Sequence, residues 1–278
     1  SAASDVYKRQ KYNGLLRSHK NISLNFFVIL LIELKSMNLI IDLGNTQIKY
    51  FVFENETVKG NYAVLIDTWK NTLKKIKNKY PSIKNCIISD VNGTITKDLK
   101  KALAPLPIIL CSSALKLPFS SRYKPSNQLG SDRIALLTAS AIEYPNQNIL
   151  VIDLGSCITY DILDREGLHH GGVISPGYKM RYKAMHNFSG RLPFLEPKDN
   201  TTSLGTNTQS AMHVGVSQGI KNEIMVSIAK FEEDFDFLTV ILAGGDAERL
   251  PKPFKNGIFA HQNFLANGLN YLLVSNID

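Results

Sequence analysis

The sequence predicts an α/β protein of two duplicated lobes facing one another across a cleft. Three observations carry that prediction. An apolar strand ending in Asp-Leu-Gly occurs twice, at Asp42–Gly44 and at Asp153–Gly155, with 111 residues between the two aspartates. Each copy is followed by a tight turn, a second strand and then a mixture of helix-like and strand-like segments, the pattern of a repeated strand-and-helix unit. No low-complexity linker lies between the halves, so they should pack into one body.

The elements follow in order. From Met37 a continuous apolar run ends at Asp42-Leu43-Gly44, turns at Gly44-Asn45 and continues as a strand from Gln47 to Phe53, which makes a hairpin opened by a buried strand. Leu65 to Tyr80 reads as a helix with a lysine-rich face, Cys86 to Val91 as a strand, Thr94 to Leu103 as a helix and Pro107 to Leu110 as a short strand. After a loop, Asp132 to Glu143 reads as a helix that begins just behind a glycine. The opening then recurs: strand from Asn148 to Gly155, strand from Cys157 to Leu163, turn at Glu166-Gly167 and a third strand ended by Ser175-Pro176-Gly177. Tyr178 to His186 is helical and cationic, Thr208 to Phe231 is helical, Leu238 to Leu242 is a strand, Gly244-Gly245 is a turn, and Asn263 to Leu273 closes the chain as a helix. The expected domains are residues 37–147 and 148–278.

Composition narrows the function. The 278 residues are 44% hydrophobic and 20% charged, which excludes a disordered, collagenous or disulfide-scaffold chain. The net charge of +8 points less to a polyanion partner than it first suggests, because residues 1–36 hold six basic and two acidic side chains and the remainder carries only +4. Neither nucleic acid nor a membrane is expected as a partner. The run from Ile22 to Leu34 is too short to span a bilayer, which takes about 20 apolar residues. It imitates a secretory signal, but no small-residue cleavage site precedes Met37. Residues 1–36 are therefore expected to be a leader foreign to the fold, with Met37 as the natural start. Cys86, Cys111 and Cys157 are odd in number and lack metal or secretory spacing, which fits a reducing, cytoplasmic compartment.

Several motifs carry chemistry. An aspartate at a strand end before glycine, as at Asp42, cannot meet phosphate directly but can hold hydrated Mg²⁺, while the glycine brings backbone amides close to an anion. The plainer alternative is a Gly-Asn hairpin turn with a solvated aspartate. With Asp153-Leu154-Gly155-Ser156 as a second copy, both loops can close on one nucleotide. Gly130-Ser131-Asp132-Arg133 suits a substrate bearing an alcohol and a carboxylate: Asp132 would take the hydroxyl proton and Arg133 would fork onto the anion. Its alternative is a capped helix, with Ser131 as N-cap, Asp132 on the dipole and Arg133 in a surface pair. Amides behind Ser175-Pro176-Gly177 could receive an anion or merely start a helix. The glycines of Leu242–Ala247 could lie under a flat base or serve close packing. His19, His169, His170, His186, His213 and His261 lack ligand spacing and read as structural or surface residues. No P-loop and no strand-coupled GxGxxG is present.

Taken in order, DLGNT at 42–46, YKPSNQLGSDR at 123–133, DLGSCITYD at 153–161, GGVISPG at 171–177 and LAGGDA at 242–247 resemble the type III pantothenate kinases, within the acetate and sugar kinase, Hsp70 and actin superfamily. The resemblance covers Met37 to the C-terminus and implies two ribonuclease-H-like lobes in an actin-like ATPase fold. It implies in-line transfer of the ATP γ-phosphoryl to pantothenate, giving 4'-phosphopantothenate, the first step of coenzyme A synthesis. Asp42, Leu43, Gly44, Asn45, Thr46, Gln47, Ile48, Lys49 and Ser156 would bind ATP, with Asp42 holding Mg²⁺ through water. Tyr123, Gly130, Ser131, Asp132 and Arg133 would bind pantothenate, with Asp132 as the base. Asp153 matches a position for a monovalent cation, K⁺ or NH₄⁺. Thr208 matches a substrate contact presented across a dimer interface, so the resemblance implies a homodimer with shared sites. Ser156-Cys157 departs from the usual Thr-Ala or Thr-Cys, keeping the hydroxyl without the methyl that fixes its rotamer. A non-enzymatic transcriptional accessory factor and a kinase for a sugar or acetate are the competing expectations.

Overall fold

A computed structural model describes residues 36–91, 93, 95–198, 202–250 and 257–277. The expected leader, Ser36 apart, lies outside the described residues. The elements are β1 (Met37–Leu43), β2 (Gln47–Glu54), β3 (Thr57–Leu65), α1 (Trp69–Lys79), β4 (Ile83–Asp90), α2 (Thr96–Leu103), β5 (Ile108–Leu110), β6 (Ser120–Ser121), α3 (Ser131–Glu143), β7 (Ile149–Leu154), β8 (Cys157–Leu163), β9 (Leu168–Pro176), α4 (Tyr178–Phe188), α5 (Thr208–Asp234), β10 (Thr239–Ala243), β11 (Gly257–Phe259) and α6 (Phe264–Ser275).

Two sheets repeat one topology. The first has the order β3-β2-β1-β4-β5, and the second has β11-β10-β7-β8-β9 with β6 added at its far edge. In each, the opening hairpin and its third strand run antiparallel, and the two later strands lie parallel to the first. The expected duplication is thus a duplication of connectivity. The strands β3, β6 and β11 were not expected, and one helix is shorter than read. The helix read from Leu65 begins at Trp69, and Leu65 instead ends β3. Tyr62 and Val64 pack on the outer face of that edge strand, but a register shift at Val52–Phe53 turns Val58 to the inner core, and Gly60 and Asn61 interrupt the apolar signal, so period two is faint in the sequence.

Strand alternation sorts the side chains into layers. From β1, Leu39 and Ile41 face outward onto Trp69, Leu73 and Ile76 of α1 and Leu99 of α2, while Ile40 faces the other way. From β7, Leu150 and Ile152 meet Tyr182 of α4 and Val216, Ile220 and Ile224 of α5, while Ile149 and Val151 face inward. Between the two inner faces lie α3 and α6, whose Ile134, Leu137, Leu269 and Leu272 complete one shared core. Each such side chain contributes about 1.5–3 kcal/mol by leaving water. Gly268 lets α6 lie directly on α3, because a Cβ there would stand 2.0 Å from the Ala135 carbonyl oxygen. The layers therefore run helix, sheet, helix pair, sheet, helix. Asp42 shares its face with Ile40 and Asp153 shares its face with Val151, so the alternation that builds the core also turns both carboxylates inward.

Candidate active site

Three carboxylates from distant parts of the chain lie within one another's electrostatic reach. Asp42 stands one residue from the end of β1, Asp153 one residue from the end of β7, and Asp132 in the first turn of α3. All three are half-buried. Burial pushes the Asp42 carboxyl up to about 6, the Lys49 ammonium opposing it and the Asp132 charge adding to it. Asp153 is pushed up to about 7, first by burial and then by the Asp132 and Asp42 charges. Burial also raises Asp132, against the pull of the Arg133 backbone amide and guanidinium. The mutual repulsion places the three groups in one electrostatic field, as the sequence led us to expect.

Local structure explains each placement. Asp42 pairs in register with Lys49 across the β1–β2 hairpin, so the ammonium and the carboxylate lie on one face. Asp153 pairs instead with Thr159 across β7–β8, which leaves that carboxylate without a cation on its partner strand. Beyond β10, Gly244 adopts φ +89°, and a Cβ there would fall 2.6 Å from Asp153 Oδ1 and 2.4 Å from the Leu154 carbonyl oxygen. Only glycine permits that backbone to press on the carboxylate. The Gly244 turn thus supports close packing at Asp153.

The turn before α3 does not behave as a simple cap. Gly130 takes the N-cap position, and the Ser131 hydroxyl instead accepts from the Asp90 amide at 3.0 Å and meets Ser89 Oγ at 3.0 Å. The Ser89 hydroxyl in turn helps hold down the proton affinity of Asp42. Ser131 therefore stitches α3 to the ends of β4 and β1. Asp132 Oδ1 accepts the Arg133 amide at 2.8 Å, which holds the carboxylate at the helix start and leaves its other oxygen open.

Arg133 departs from both expectations. It is 4% exposed, so it forms no surface pair. Its fork closes on an internal carboxylate: Nε donates to Asp161 Oδ2 at 2.8 Å and Nη2 to Asp161 Oδ1 at 2.6 Å. Nη1 is turned to the Tyr123 hydroxyl at 3.3 Å, and the guanidinium carbon lies 5.0 Å from the Tyr123 ring centroid. A substrate anion would meet this Nη1 edge and the phenol, not the open fork that the sequence suggested. Asp161, Ser89 and Ser121 are site-building residues that the sequence did not single out, and His169, expected as structural or surface, joins them. Asp161 closes the DLGSCITYD motif, but nothing local names Arg133 as its partner.

The remaining expected residues divide. Asn45, Thr46 and Gln47 are exposed on the first hairpin loop beside Asp42, with Gly44 donating to the Gln47 carbonyl at 3.0 Å. Leu43 and Ile48 are buried on the outer face, so only their backbone can reach a ligand. Ser156 is exposed on the second loop, where its carbonyl accepts the Gly177 amide at 3.1 Å and so sets the start of α4. Thr208 opens α5 behind an Asn207–Ser210 capping box; it is exposed, on a helix covering the outer face of the second sheet, away from α3. Within one chain it is not brought to the carboxylates.

The field fits cations. Two acids raised toward neutrality beside a single lysine form a site where added positive charge is favoured. Among the described residues, no three His, Cys, Asp or Glu side chains stand together as a metal cage. An ion here would rest on one carboxylate, completed by water, backbone or substrate oxygens.

Comparison with known proteins matches the chain to a family. Residues 38–230 match the family model described as type III pantothenate kinase. The chain is 39% identical over 241 residues to a type III pantothenate kinase of Christiangramia forsetii, covering 86% of this chain and 99% of that one. It is 37% identical over 242 residues to one from Bacteroides fragilis, covering 85% and 97%. Among solved structures it resembles a protein described as a Baf family transcriptional activator from Campylobacter jejuni, with TM-score 0.56, 22% identity and coverage of 86% and 98%. It also resembles a Listeria monocytogenes protein described as an N-acetylmannosamine kinase, with TM-score 0.52, 12% identity and coverage of 86% and 98%. At these identities the structural likeness shows the two-lobed kinase fold alone.

Proposed function

We propose that this chain, which belongs to the type III pantothenate kinase family, transfers the γ-phosphoryl group of ATP to the primary hydroxyl of pantothenate. The observation that carries the reading is the convergence of Asp42, Asp132 and Asp153 in one charge field between the two sheets. Phosphoryl transfer asks little covalent chemistry of a protein and much positioning and charge compensation.

Each residue has work suited to its place. The first hairpin loop, Gly44 to Gln47, offers backbone amides and small side chains to phosphate oxygens, and Lys49 adds the positive charge facing them. Asp132 keeps one oxygen on the Arg133 amide and presents the other to the substrate hydroxyl. Its raised proton affinity makes it a better acceptor for that proton as the bond to phosphorus forms. Arg133 Nη1 and the Tyr123 hydroxyl receive the pantothenate carboxylate and fix which hydroxyl reaches Asp132. When bound, Mg²⁺ at Asp42 and a monovalent cation at Asp153 would offset the charge of the phosphates and of the carboxylates themselves.

Two finer features belong to the same reading. The exposure of Thr208, away from α3, supports a homodimer in which it serves the partner's site, and a solution mass of two chains is the check. The thiols of Cys86, Cys111 and Cys157 are unbridged, which suits work in the cytoplasm. The decisive experiment is ADP release with ATP and pantothenate in potassium against sodium buffer. Turnover that depends on the cation is expected; no pantothenate-dependent ADP in either buffer overturns the assignment.

A further inference from the structure

Behind the substrate edge of the site lies a closed ring of hydrogen bonds. The Tyr123 amide donates to Ser121 Oγ at 3.1 Å, and Ser121 Oγ lies 2.7 Å from His169 Nδ1. His169 Nε2 lies 2.8 Å from Asp161 Oδ1, the oxygen that also accepts Arg133 Nη2. Arg133 Nη1 then returns to the Tyr123 hydroxyl. The proton count closes with one assignment: Ser121 donates to Nδ1, and the ring proton on Nε2 goes to Asp161. The ring thus begins at the backbone of Tyr123 and ends at its phenol. Stacking reinforces it, with the Tyr123 and His169 rings 6.2 Å apart and 15° from parallel.

Two further features lie against this ring. The two-residue strand β6 pairs Ser121 with His169, pinning the loop that carries Tyr123 to the edge of the second sheet. Gly172 on β9 passes so close that a Cβ would fall 2.7 Å from both Arg133 Nη2 and Asp161 Oδ1. His169 is 0% exposed and Asp161 is 2% exposed. Burying such a cluster gains little stability over apolar packing, so its value lies in fixing geometry.

We infer that Asp161, His169 and Ser121 are positioning residues for substrate recognition, holding Arg133 and Tyr123 so that one guanidinium edge and one phenol face the carboxylate of the acceptor. This rests on the proposed reaction and goes beyond it, since none of the three touches substrate. The relay acts on acceptor binding, since the first hairpin loop lies on the other sheet and Ser156, the expected ATP contact on this sheet, stands before β8, five residues ahead of Asp161.

The test compares Ser121→Ala, His169→Ala and His169→Gln with the unaltered chain, measuring KM for each substrate, kcat and Tm. Loss of the ring is expected to raise KM for pantothenate about tenfold in His169→Ala and several-fold in Ser121→Ala, the scale of one hydrogen bond to a charged group, with KM for ATP within about twofold. His169→Gln, which keeps an amide donor for Asp161, is expected to recover part of the loss. Pantothenate KM unchanged in both alanine variants, or both KM values rising in parallel, overturns the relay. Should His169→Ala fail to fold, Ser121→Ala decides alone, since it removes a single oxygen from a half-buried position. An unaltered chain that releases no ADP with pantothenate sinks the proposed reaction instead, a result distinct from an active enzyme with indifferent variants.

Discussion

Asp132 concentrates the chemistry in one side chain. Its carboxylate is held by the Arg133 amide and raised by burial, so it is both aimed and basic. Asp132→Asn keeps the shape and the amide contact but removes the acceptor for the proton. We expect kcat to fall by about 10²-fold or more, the usual scale for losing a general base, with Tm unchanged or higher because a buried charge is gone. Steady-state ADP release and a thermal melt read the two together; full turnover in this variant would remove Asp132 from the mechanism. Its neighbour shows where residue-level reading stops. The sequence places Arg133 beside Asp132 and so beside the substrate. That Asp161, 28 residues on, occupies its fork is a contact between α3 and β8 that no local pattern encodes.

At the level of elements, the site depends on how α3 lies against its neighbours. Its N-terminus is tied to β4 through Ser131, Ser89 and the Asp90 amide, and its middle is pressed on α6 at Ala135 and Gly268. Gly268→Ala forces the two helices apart, because the new methyl would meet backbone atoms that cannot rotate away. A loss of about 1–3 kcal/mol is expected, as for overpacking elsewhere, measured by denaturant unfolding. Since α3 also carries Asp132, kcat should fall in the same variant; stability lost without any change in kcat would mean that the helix start is held by β4 alone. Most long elements were legible in the sequence because each repeats its own period or apolar run over many residues, the nine-residue β3 with its Gly60–Asn61 interruption excepted. β6 and β11 were not, being two and three residues long and defined only by the strands beside them.

Across the whole molecule, folding brings like charges together and stores a dependence on pH. Asp42 and Asp153 ionise at the ordinary 3.8 when unfolded but at about 6 and about 7 in the folded chain. The folded state therefore binds more protons between these values, so their contribution to stability is fully present below 3.8 and is lost as pH rises through 6 and 7. Without nucleotide or metal, Tm should fall between pH 5 and pH 8 through these groups, and Asp153→Asn should flatten that fall. Adding potassium or Mg-ATP should raise Tm more at pH 8 than at pH 5, and scanning calorimetry at the two pH values checks both. An equal rise at both would show that cations bind elsewhere. From the amino-acid order alone came the duplicated hairpins, the aspartate at the end of each opening strand and the turn that starts α3, because apolar runs and turn chemistry act over a few residues. Only the tertiary structure decided that the three carboxylates share one field, that Arg133 is spent on Asp161 and that Tyr123 is held from both ends, because those contacts join segments whose separation along the chain leaves no periodic trace.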